Sequence, residues 1–284
     1  MKFLKKLACA AAVAMTVAGG ANAATVLNDW VFNPIGGGYA SGQQVNEYLD
    51  VNGNAFIQIN PTGGSSFSFA EHAVFNIVQA DSNSQLFPVN YPGGNISATF
   101  EATGTGNFSG AFSFSGGTIR MYQNATNQYG TSAGIYGANQ GNMIAEFTVL
   151  AGGGGLVDAS GSPTNNGQVT VLAKASQGSL DSGYFFRENG QDLSTESIMA
   201  FAFTNANTVA NPTSILVDEV ACQYANFTGN GCNGSAYANT PGSFFVSNNG
   251  QFKLAEVPEP GSLALFGIAM LGAGVVSRKR AKKA

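Results

Sequence analysis

Apolar and polar residues alternate with a period of two along several stretches of the chain. Ile96, Ala98, Phe100 and Ala102 alternate with Ser97, Thr99, Glu101 and Thr103. Phe67 and Phe69 alternate with Ser66, Ser68 and Ala70, and Phe112 and Phe114 with Ser113 and Ser115. Val169, Val171 and Ala173 oppose Thr170, Leu172 and Lys174, and Met199, Phe201 and Phe203 alternate with Ala200, Ala202 and Thr204. In a strand, this spacing turns one face to a core and the other to solvent. Asn52-Gly53, Asn166-Gly167, Asn189-Gly190 and Asn249-Gly250 accept positive φ, as hairpin turns require. Gly116-Gly117 separates two apolar runs and reads as a further hairpin, and Gly152 to Gly155 as a flexible break or bulge. No amphipathic helix is predicted between the two ends. The pattern predicts an all-β fold: a single two-sheet, jelly-roll-like β-sandwich of about twelve strands. No strict repeat is present, which speaks against a solenoid or propeller.

The two ends follow a different logic. Lys2, Lys5 and Lys6 precede an apolar run from Leu7 to Ala18, and Ala21-Asn22-Ala23 forms a small-x-small site. Residues 1–23 therefore read as a cleaved signal peptide with a helical apolar core, and Ala24 as the mature start. The implied partner is the Sec translocon. Cys9 lies inside the apolar run, away from the cleavage site, which argues against a lipoprotein. At the other end, residues 261–277 carry no charge and predict a transmembrane helix. Its seventeen residues span about 25 Å, the lower limit for a bilayer core. Arg278, Lys279, Arg280, Lys282 and Lys283 follow and hold that end in the cytoplasm. Residues 24–254, read as the β-sandwich domain, then face outside, and the signal peptide independently gives the same topology.

Charge sharpens this picture. The chain carries a formal net charge of −4. Eight of its twelve Lys and Arg lie in the two end segments, so the body holds four cations and fifteen acids, a net −11. Such a body repels nucleic acid and anionic lipid, and no nucleic-acid partner is expected. With Cys9 removed, Cys222 and Cys232 remain as an even pair in an exported chain, which predicts a disulfide. Two thiols and one distant His do not complete a metal-ligand set.

The chemistry-bearing motifs are sparse. His72 is the sole histidine, read as a strand residue at the surface. No Gly-x-Ser-x-Gly elbow, His-Glu-x-x-His or Walker loop occurs. Glu71, Glu101 and Glu146 lie on predicted strands, and Asp218 and Glu219 on a strand predicted over Ile215 to Val220. Glycosidase chemistry needs two carboxyls at a fixed separation, and neighbours on one strand point to opposite faces. Asp50 to Asn54 faintly resembles a Ca²⁺ loop but lacks its closing Glu. Trp30 is the sole tryptophan, with Tyr48, Tyr91, Tyr122, Tyr129, Tyr136 and Tyr184 as further rings a sugar could use. No enzyme, cofactor or metal site is expected.

Residues 255–284 carry the most specific signal. Val257-Pro258-Glu259-Pro260 precedes the apolar segment 261–277 and the basic tail 278–284. This order resembles the PEP-CTERM sorting signal of Gram-negative bacteria. Its two prolines keep the backbone extended and outside the helix, where a processing enzyme can reach it. The resemblance implies recognition and cleavage by an integral-membrane exosortase. It also implies a precursor anchored in the inner membrane, then release to the cell surface or extracellular matrix. The body resembles flocculation-associated PEP-CTERM proteins over Trp30 to Pro34, Val45 to Leu49 and Phe112 to Tyr122. That resemblance implies cell aggregation or biofilm formation with exopolysaccharide, and brings no catalytic residues. The expected function is therefore a non-enzymatic surface or matrix protein. The alternatives are a carbohydrate- or calcium-binding surface module and, behind it, a glycan hydrolase.

Overall fold

The computed structural model describes residues 25–82, 85–88, 93–164 and 167–257. Val26–Ala255 forms one compact unit, and Met1–Thr25 and Glu256–Ala284 group separately. Thirteen strands are described: β1 (Trp30–Phe32), β2 (Gln43–Val45), β3 (Tyr48–Gly63), β4 (Ser66–Ser82), β5 (Gln85–Pro88), β6 (Asn95–Asn107) and β7 (Ala111–Asn124). They continue as β8 (Asn142–Val149), β9 (Gly152–Leu156), β10 (Gln168–Ala175), β11 (Phe185–Phe186), β12 (Ile198–Thr208) and β13 (Ser243–Glu256).

The all-β class holds, but the sandwich is replaced by a barrel. Eight strands close on themselves in chain order, β3-β4-β6-β7-β8-β10-β12-β13 and back to β3. β5 and β9 flank this circuit, and a separate small sheet runs β11-β1-β2. The barrel is an up-and-down meander. Closure removes the free edges a sandwich would leave.

The glycines explain part of the difference. Asn52-Gly53 and Asn249-Gly250 are not turns. They lie mid-strand and face each other, with Asn249 opposite Asn52 and Asn248 opposite Gly53. A Cβ on Gly53 would overlap the Val74 carbonyl oxygen, and one on Gly250 the Phe203 carbonyl oxygen. These glycines let long strands bend and neighbouring backbones approach, as barrel curvature demands. Gly116-Gly117 also lies inside β7, and the adjacent strand carries a register shift at Thr103/Gly104. Asn189-Gly190 is a turn, with the Gly190 N–H donating to the Arg187 carbonyl at 3.0 Å. Asn166 falls outside the described residues.

One face assignment is reversed. On β12 the small residues point inward: Ile198, Ala200 and Ala206 are buried, whereas Phe203 is 39% exposed. Phe100, Phe114, Phe147 and Phe252 already fill the interior from other strands, leaving room for alanine. Phe69, Phe100 and Phe114 meet edge to face, with centroids 5.6–5.8 Å apart. Trp30, Phe32 and Phe185 of the small sheet belong to the same core.

A second, smaller core lies on the outer wall of the barrel. Phe56, Val74 and Phe245 point outward and are covered by Leu216, Val217, Val220 and Ala221. Those covering residues overturn the strand predicted over Ile215 to Val220. The segment is helical, α over Ser214–Leu216 and π over Val217–Tyr224. Thr213 caps it, its Oγ1 accepting from the Leu216 N–H at 3.3 Å. A β-branched run reads as strand by propensity, but the cap and the apolar wall beneath select a helix. The expected signal helix (1–23) and transmembrane helix (261–277) lie outside the described residues. Among the described residues, no helix is long and apolar enough to cross a membrane.

Candidate functional site

Inward-facing residues of the barrel bring together an unexpected polar group. Glu71 of β4 and Asn248 of β13 are both at least nine-tenths buried. Together with Val169 they line two interior cavities of about 60 Å³ and 30 Å³. Glu71 is the sole charged residue on either wall. Phe75, Ile77, Met121 and Phe252 wall the larger cavity, and Phe67, Phe69 and Phe112 the smaller. Burial pushes the Glu71 carboxyl up to about 7, because no cation offsets the lost hydration. The Asn248 Nδ2 has no hydrogen-bond partner among the described residues, while its Oδ1 lies 3.5 Å from the Thr204 hydroxyl. Sequence reading missed Asn248 because Asn249-Gly250 looked like a turn. The available signal was its parity with Val246 and Phe252, which places one amide on an otherwise apolar face.

The other carboxylates point elsewhere. Glu101 of β6 and Glu146 of β8 lie on the outer wall and share one guanidinium. Arg120 Nη1 is 3.1 Å from Glu101, and Arg120 Nε is 2.8 Å from Glu146. His72 sits opposite Glu101 on β4. It is on a strand, as expected, but half-buried rather than open, edge-on to Tyr224 at 4.9 Å. Burial lowers its pKa, and the nearby Glu101 charge acts in the opposite direction. Asp218 is exposed on the covering helix, and Glu219 is buried there. Of the carboxylates singled out from the sequence, Glu71 thus faces the interior, Glu101 and Glu146 the outer wall, and Asp218 and Glu219 lie on the cover.

Asp50 to Asn54 lie within β3 rather than in a loop, and among the described residues no cluster of three or more His, Cys, Asp or Glu is placed to hold a metal. Trp30 is fully buried against Phe32 and Phe185, so it offers no platform to a sugar. Tyr184 is buried as well, and Tyr91 lies outside the described residues. Cys222 and Cys232 are joined as a disulfide beside the helical cover.

The sorting end begins where the barrel stops. Val26 bridges Ala255 antiparallel, and the Leu27 N–H donates to the Leu254 carbonyl at 2.8 Å. The compact unit therefore releases its two ends side by side. Val257 is the last described residue. Pro258, Glu259, Pro260 and the basic residues Arg278 to Lys283 lie outside the described residues, as do Ala21, Ala23 and Ala24.

No curated protein and no solved structure matches the chain. Residues 256–280 match the family model of the PEP-CTERM protein-sorting motif. The match begins at the last residue of β13 and takes in Val257-Pro258-Glu259-Pro260, the apolar segment and Arg278 to Arg280. The chain thus carries a PEP-CTERM protein-sorting motif, which implies export and sorting to the cell surface by way of a membrane-anchored precursor.

Proposed function

We propose that this protein is a non-enzymatic component of the bacterial surface or extracellular matrix, promoting flocculation or biofilm formation with exopolysaccharide after exosortase processing. The sorting motif at residues 256–280 carries this reading. It gives the route, and the barrel is the cargo. The rest of the molecule supports a structural or binding role. An eight-strand barrel without free edges and a disulfide-stapled cover suit a protein exposed outside the cell. Of the carboxylates considered for hydrolysis, Glu71 is buried inside the barrel, and Glu101 and Glu146 are both engaged by Arg120. Deleting the gene and weighing flocs or biofilm tests the proposal. Reduced aggregation, restored by the wild-type gene, is expected. Unchanged aggregation would sink it.

A carbohydrate-binding module is the second reading, favoured by a groove lined by Tyr48, Phe203, Gln168, Asn205 and Gln251.

A further inference from the structure

The outward rings of this barrel are treated unequally. Phe56 and Phe245 are fully buried beneath the helical cover, whereas Phe203 is left 39% exposed. Phe203 lines an open groove of about 320 Å³ on the outer wall, across β10, β12, β13 and β3. Tyr48 supplies a second ring, and Asp50, Gln168, Asn205 and Gln251 supply planar polar groups. The residues of these four strands are aligned by register: Gln168 pairs with Asn205, Asp50 with Gln251, and Tyr48 with Lys253. Gly250 lets β13 approach β12 closely beneath the groove, since a Cβ there would collide with the Phe203 backbone.

The groove is held in shape. The Lys253 ammonium lies 5.5 Å from the Tyr48 ring centroid and 5.9 Å from that of Phe203, and 2.5 Å from the Glu47 carboxylate. Rigid rings offer contact area at little entropic cost. Amides both donate and accept, which suits vicinal hydroxyls. The volume lies at the lower end of the roughly 300–1,000 Å³ typical of small-molecule sites.

Charge selects among ligands of this shape. Asp50 is the sole ionisable acid on the groove wall, and Lys253, the nearest cation, is engaged by Glu47. The body as a whole carries eleven excess negative charges. An acidic sugar would meet the like charge of Asp50, and the one cation beside the rings, Lys253, is already engaged by Glu47. A neutral sugar would meet two rings and a ring of hydrogen-bonding groups.

We propose that this groove is a binding site for a neutral polysaccharide, with Phe203 stacking on a sugar ring and Asp50, Gln168, Asn205 and Gln251 hydrogen-bonding its hydroxyls. The proposal rests on the surface-matrix reading and names the contact through which it would operate.

The test is calorimetric titration of the exported protein with neutral glucan and galactan oligosaccharides, and with oligogalacturonate as the acidic comparison. Wild type is expected to bind a neutral oligosaccharide and to disfavour the uronate. Phe203→Ala and Gln251→Ala are each expected to weaken binding at least tenfold with an unchanged thermal melt. Tyr39→Ala, which removes an exposed ring that lines no part of the groove, is expected to bind as wild type. No binding to any neutral oligosaccharide, preference for the uronate, or binding that survives both groove substitutions would overturn the site. If Phe203→Ala fails to fold, Gln251→Ala decides. Failure of the groove leaves the aggregation phenotype of the gene deletion intact, so the two readings fail separately.

Discussion

Glu71 and Asn248 share the walls of both interior cavities of the barrel, one on β4 and the other on β13. An acid and an amide at this depth are costly. A buried polar group without a partner forfeits about 1–3 kcal/mol.

That placement gives stability a defined pH dependence. Folded Glu71 keeps its proton up to about pH 7, against an ordinary value of 4.5. Between these values the folded protein binds a proton that the unfolded chain has lost. Stability is therefore full below the lower value and declines as pH rises through the window. The decline amounts to roughly 3 kcal/mol at about 1.4 kcal/mol per pH unit. Denaturant titrations at pH 5 and pH 8 should show a larger loss in wild type than in Glu71→Gln, which cannot ionise. Equal slopes would mean that the carboxyl is solvated or paired.

The glycines inside strands predict an ordering of substitutions. Gly53→Ala would drive a methyl group into the Val74 carbonyl and the Phe75 ring. Gly64, at the tip of the β3–β4 hairpin with φ +59°, has no atom within 4 Å of an added Cβ. Gly53→Ala should cost more than about 2 kcal/mol, and Gly64→Ala about 1 kcal/mol from its left-handed backbone. Urea denaturation of the two variants checks the order.

The disulfide anchors the outer cover. Cys222 and Cys232 are ten residues apart, and closing so short a loop stabilises by about 2.5–3 kcal/mol in the chain-entropy model. A Cys222→Ser, Cys232→Ser variant should lose about that much. Hydrogen exchange should quicken first over Ser214–Tyr224, while the inward-facing strands stay protected. Loss of protection throughout the barrel would show that the cover is integral to it.

What the sequence revealed depended on how local the signal was. The strand through Ile96, Ala98, Phe100 and Ala102 was legible because its inner face is apolar without interruption. Closure was not, because it depends on β13 pairing with β3 across 185 to 205 residues of sequence, from Ser243↔Gln58 to Lys253↔Tyr48. The Asn-Gly pairs carried two meanings, turn or close backbone approach, and only the neighbouring strand decides between them. Phe203 misled for a related reason: alternation fixes the two faces of β12 but not which one is inside. The export tag needed no tertiary information, since an extended Pro-Glu-Pro peptide and a charge cluster act as a linear signal. The barrel's cavities and groove could not be read at all, as they gather residues from four or more strands.

If an exported barrel is delivered by the sorting motif that follows on β13, both ends of the chain should be cut. Intact mass spectrometry of the protein extracted from the cell surface reads both cuts at once. The expected species begins at Ala24, carries one disulfide, and ends within or next to Val257-Pro258-Glu259-Pro260. A surface protein that retains residues 1–23, or that keeps the apolar segment and basic tail through Ala284, would contradict it.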